Sequence, residues 1–177
     1  MKLSPSGRLG LTVLLAIYGF RILLHPEAGS FMDSVDLPIH ETGHLVFSPF
    51  GEFMQFAGGT LFQLILPTTF VVYFFRQKDR HGASIALWWV AQSFWNISVY
   101  VKDARAMELP LVGGGEHDWA YLLGELNLLP RDQVIGHAVW LTGVVVYLVA
   151  IALGVNASRD NAAQIASPER AVTLNSV

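Results

Sequence analysis

The chain has 177 residues, 53% of them hydrophobic and only 14% charged, well below the roughly 25% charged share of a soluble domain. A net charge of -3 gives no footprint for nucleic acid. The absence of cysteine excludes disulfides, thiolate nucleophiles and Cys-based zinc sites, so any metal must be held by His, Asp or Glu.

Taken in chain order, the first element is an apolar segment from Leu9 to Leu24, interrupted by Arg21, whose stem is long enough to snorkel. A cleaved secretory signal is the competing reading of this segment. Arg21 inside the apolar stretch and His25-Pro26-Glu27 ahead of Ala28 argue against it. Next comes a short helix over the acidic segment that follows, with Asp36 as its expected N-cap, Pro38 in its first turn and Pro49 ending it. Phe53 to Phe75 carries no charge, Ala83 to Val101 forms a third apolar segment, and Val134 to Val155 a fourth. Each approaches the roughly 20 residues that a bilayer crossing needs. Tyr73, Phe74, Trp88 and Trp140 fall near segment ends, as an aromatic belt predicts. The expected fold is therefore an all-α membrane protein, a bundle of about four transmembrane helices with a short interfacial or half-inserted helix beside them. Residues 1–155 form this membrane-embedded unit, and the polar tail 156–177 is expected to be disordered.

Charge orients the bundle. Lys2 and Arg8 precede the first segment, and Arg76, Lys78 and Arg80 crowd the loop between the second and third. By the positive-inside rule both regions and both termini are cytoplasmic, with the chain in the plasma membrane. The segments around His40 and around His117 then fall together on the outer face, close to His137.

The residues His40-Glu41-Thr42-Gly43-His44 carry the chemistry. Histidines at i and i+4 project from one face of a helix about one turn apart, a spacing that lets both imidazoles reach one tetrahedral Zn²⁺. The Glu between them is placed to take a proton from a zinc-activated water. A bland alternative has His40 and His44 as polar residues on an amphipathic interfacial helix, but ionisable groups in so apolar a chain are functional candidates.

His-Glu-x-Gly-His in a multi-span chain resembles the site-2-protease-type intramembrane zinc metalloproteases. That resemblance implies zinc ligation by His40 and His44, Glu41 as catalytic base, and a membrane-bound or membrane-proximal protein as substrate. Gly59-Thr60-Leu61-Phe62-Gln63 is faintly similar to the family's Gly-Pro-x-x-Asn element, departing at Thr60 and Gln63. The family takes its third ligand from an Asp in a Leu-Asp-Gly context. This chain lacks one and offers Gly113-Gly114-Gly115-Glu116-His117-Asp118-Trp119 instead. The glycines permit a tight fold, and Asp118 and His117 are equal candidates ahead of a helix beginning near Trp119, with His137 ranking third.

Asn96 is placed to bind substrate or to link helices, the latter favoured, as for Gln63 and Gln92. Asp103 and Arg105 form either a pair orienting a ligand or a solvated ion pair. A non-catalytic metal-binding membrane protein, structural or transporting, is the alternative function. A di-iron desaturase-type site is disfavoured by a total of six histidines.

Overall fold

The computed structural model describes residues 3–109 and 116–166, with side chains to 160. Among them are six α-helices and no strand: α1 (Pro5–Leu24), α2 (Phe31–Phe47), α3 (Glu52–Arg76), α4 (Arg80–Asp103), α5 (Asp118–Glu125) and α6 (Asp132–Ala166). Short 3-10 turns link α1 to α2, α2 to α3, and α5 to α6.

Three of these helices, α1, α3 and α6, are long and apolar enough to cross a membrane. Their apolar side chains point outward: Leu14 and Ile17 of α1 are each 65% exposed, and Val145 and Leu148 of α6 are 61% and 59% exposed. Large apolar faces turned away from the core suit a solvent of hydrocarbon.

The third expected span differs. Its helix, α4, extends beyond both predicted ends, yet it is not apolar enough by composition to count as a span. The reason is where it sits. Helix α4 runs through the middle, packed against α6, α3 and α1, and Trp95, Gln92, Ser93 and Ser98 on it are fully buried. A helix surrounded by protein can carry polar groups that lipid would penalise. Trp88, expected in an aromatic belt, lies inside this core and donates Nε1–H to the Leu15 carbonyl at 2.9 Å. It packs there with Trp95 and Ala91 of α4, Ile22 of α1, and Tyr147 and Ala150 of α6.

Helix α2 starts earlier than Asp36 suggested. Ser30 is the N-cap, closing a capping box in which the Ser30 N–H donates to Asp33 Oδ2 at 2.6 Å and the Asp33 N–H to Ser30 Oγ at 3.4 Å. Satisfying two N–H groups at once outcompetes a single Asp36 cap. Pro38 is therefore in the helix interior, and Asp36 is 1% exposed, turned into the bundle. At the other end of the chain, α6 continues to Ala166 through the first half of the tail expected to be disordered. Ala157 and Ser158 are buried, and Asp160 pairs with Arg80 at 3.5 Å, which gives this polar extension something to pack on. Residues 167–177 lie outside the described residues.

Candidate metal centre

Helix α2 lies along the first turns of α3 at very short range. A Cβ on Gly43 would sit 2.2 Å from the Gly58 carbonyl oxygen, and one on Gly58 would sit 2.6 Å from the Gly43 oxygen. Only two glycines facing each other permit this approach, which gives Gly43 inside the motif its structural purpose. One residue on, a Cβ on Gly59 would meet the His40 ring at 2.5 Å, so this imidazole lies flat on bare backbone.

The two motif histidines form one cluster with Asp118. His40 Nε2 is 2.9 Å and His44 Nε2 3.3 Å from the same Asp118 Oδ2, and one ligand atom from each residue lies within 4.8 Å of the others. The opposite ring nitrogens have oxygen acceptors: His40 Nδ1 is 3.3 Å from Gln63 Oε1, and His44 Nδ1 is 2.8 Å from the Gln55 carbonyl. With Nδ1–H donated outward, Nε2 of both rings is the atom left for the shared centre.

The donor chemistry and the two histidine-to-Asp118 distances suit a divalent ion such as zinc. Two imidazoles and one carboxylate are a recognised catalytic set, and donors bound at about 2.0–2.1 Å around a tetrahedral ion lie about 3.3 Å apart. Without a metal the same atoms share protons. The Asp118 hydrogen bond raises His44 from 6.5 to about 9, against the opposing effect of burial. Burial pushes the Asp118 carboxyl up, but the hydrogen bonds from His40 and His44 outweigh it and hold it below its ordinary value.

Asp118 owes its position to its neighbour. His117, an equal candidate ligand from sequence, is 3% exposed and does not join the cluster. It caps α5: Nδ1 accepts from the Ala120 N–H at 3.3 Å, and Nε2–H donates to Asp103 Oδ2 at 3.2 Å. Asp103 also accepts from the Glu108 and Leu109 N–H groups, so it organises the end of α4 and, through His117, the start of α5. The expected Asp103–Arg105 pair does not form, because Arg105 bonds Asp132 at 2.7–2.8 Å. Helix α5 is further held by Tyr121 stacked on Phe56, ring centres 4.1 Å apart, and by buried Leu122 and Leu123. Gly113-Gly114-Gly115 lies outside the described residues. His137 is exposed on α6, its Nδ1 bonded to the Gln133 carbonyl, away from the cluster.

Glu41 is exposed and lines a cleft of about 710 Å³ that also contains His40, His44, Asp118, Asn96 and Tyr100. A cleft of this size accommodates a short extended peptide. Asn96 links helices, accepting from Gln63 Nε2 at 2.9 Å. Sequence patterns did not single out Asp36 or Tyr100 as site residues, and they gave Gln63 as a helix-linking or substrate-binding amide rather than a partner of His40. Asp36 had looked like a cap, and no spacing rule ties a residue of α3 or α4 to one of α2. No family model, curated protein or solved structure matches the chain.

Proposed function

We propose that this chain is a membrane-embedded zinc metalloprotease that hydrolyses peptide bonds in membrane or membrane-proximal proteins. The observation that carries the reading is the convergence of His40 Nε2, His44 Nε2 and Asp118 Oδ2 beside a cleft that Glu41 overlooks. Zn²⁺ bound by these three residues would supply Lewis acidity and a water acidified toward neutral pH. The chain's own part is proton handling and orientation. The Glu41 carboxylate takes a proton from the attacking water and returns it to the leaving nitrogen. Gln63 and the Gln55 carbonyl keep both rings turned with Nε2 toward Asp118.

The depth of the cluster supports a membrane substrate. Gly59, under the His40 ring, is seven residues into α3 from Glu52, about 10 Å along its axis. Asn96 lies equally far from Asp103 at the end of α4. In this reading α4 is the fourth span, sheathed by the other three, and α2 is half-inserted. Arg8, Arg76, Lys78 and Arg80 gather at the bundle end opposite the cluster, where His81 Nε2 lies 3.0 Å from the Arg8 carbonyl. That asymmetry favours cytoplasmic termini, a site toward the outer face, and residence in the plasma membrane.

The test uses the full chain purified in micelles. Stoichiometric zinc and cleavage of a transmembrane-segment peptide are expected, and Glu41→Gln should keep the metal and lose turnover. A zinc-loaded parent that does not cleave removes the enzymatic reading in favour of a non-catalytic metal site, and a variant as active as the parent removes Glu41 as the base. Parent protein without metal removes both.

A further inference from the structure

We propose that Asp36, acting through Gln63, is a positioning residue for His40: the pair fixes which nitrogen of that ring faces the metal and at what angle. The inference rests on the metal-centre reading above. Its basis is a chain of donors and acceptors with one consistent direction. Asp36 receives Trp89 Nε1–H on Oδ1 at 2.8 Å and Gln63 Nε2–H on Oδ2 at 3.2 Å, while Ser93 Oγ, 3.5 Å from Oδ2, gives its one proton to the nearer Trp89 carbonyl at 3.1 Å. As a carboxylate it only accepts.

Gln63, 2% exposed, spends both hydrogens of its amide nitrogen, one on Asp36 and one on Asn96 Oδ1 at 2.9 Å. Turning the amide over would press its oxygen against the Asp36 carboxylate, so Asp36 sets the orientation. The amide oxygen is left facing His40 Nδ1 at 3.3 Å, which places the proton on Nδ1 and the lone pair on Nε2. Gly59 supports the ring from below.

A structural explanation exists, since the same groups join α2, α3 and α4. It accounts poorly for a carboxylate. Burying a charge costs far more than burying an amide or hydroxyl that could bridge the same helices. The geometry is that of an ionised carboxylate: the Trp89 indole N–H and the Gln63 amide N–H each point at one of its two oxygens. An acceptor-only group at this point is what a directional chain requires.

The experiment is a double-mutant cycle on zinc affinity, measured by chelator competition on the full chain in micelles. Asp36→Asn lets the Gln63 amide reverse, and Gln63→Met cuts the chain. Each should weaken zinc binding by about 10–100-fold, and the double variant should be no weaker than Gln63→Met alone. Losses that multiply, or single variants within about threefold of the parent, overturn the proposal. A parent without zinc overturns the metal-centre reading, and this inference with it. A metal-binding parent whose variants match it overturns the inference alone. Should the variants not fold, ¹⁵N histidine spectra of the zinc-loaded parent decide the matter: zinc on Nε2 of both motif histidines supports the proposal, and zinc on Nδ1 of His40 refutes it.

Discussion

Replacing Gly43 by alanine adds one methyl group at the point where α2 and α3 come closest. That carbon would lie 2.2 Å from the Gly58 oxygen, 2.7 Å from the Gly58 carbonyl carbon and 2.8 Å from Phe62 Cβ. Ordinary carbon contacts are about 3.5–4.0 Å, and the obstacle is helix backbone, which cannot rotate away. Helix α2 must therefore withdraw by about 1 Å. Overpacking of this kind costs about 1–3 kcal/mol of stability. The functional cost is larger, because metal–ligand distances tolerate only about ±0.2 Å, and the histidines move while Asp118 stays with α5. Zinc affinity should fall by at least tenfold and peptidase turnover by about 100-fold, with helix content unchanged by circular dichroism. Gly10→Ala is the control: nothing lies within 4 Å of its added carbon, so metal binding should be unaltered. If Gly43→Ala binds zinc as tightly as the parent and melts at the same temperature, the account of the α2–α3 contact is wrong.

Other outcomes follow from the same geometry. Asp118→Asn keeps the shape but removes the charge that both histidines share; zinc affinity should fall by about 10-fold or more, and metal titration should show it. In the metal-free protein, His44 is raised above its unfolded value, so its stabilising contribution is complete below pH 6.5 and disappears as pH rises through about 9. At about 1.4 kcal/mol per pH unit that is roughly 3 kcal/mol, measurable by denaturation at pH 6 and pH 9.5. Because zinc must displace the same proton, apparent zinc affinity should climb about tenfold per pH unit toward about 9 and then level off. A flat profile would contradict the assigned pairing. His117→Ala removes the α5 cap and should cost about 0.5–2 kcal/mol, with zinc affinity falling less than in Asp118→Asn; an equal or greater fall would mean that His117 is itself a ligand.

Much of the architecture is legible in the sequence because long apolar runs mark helices whose outer faces are apolar. Helices α1, α3 and α6 stand out for that reason. The α4 segment is legible as a helix, but its surroundings are not: hydropathy averages over a side chain's polarity and is silent on whether protein or lipid covers it. Trp88 shows the limit, since proximity to a segment end said nothing about the direction its ring takes. The histidine pair is legible because a 3.6-residue period fixes its geometry locally. The third member of the cluster is not, because His117 and Asp118 are adjacent and the helix start decides between them: the N-cap residue turns back to serve the helix, and the next points outward. The relation of Asp36 to the site depends on long-range packing, and the local pattern of an acid ahead of a proline suggested a cap instead.

The enclosure of α4 bears on how the protein is made. A translating ribosome releases α1, α2 and α3 before it, and α6, which covers more of α4 than any other helix, only afterwards. With Gln92, Ser93, Asn96 and Ser98 on its surface, α4 is a poor substrate for release into lipid by itself. On the proposed four-span reading, biogenesis should therefore hold it at the insertion machinery until α6 has emerged, the two entering as a hairpin, and truncation before Asp132 should leave α4 outside the bilayer.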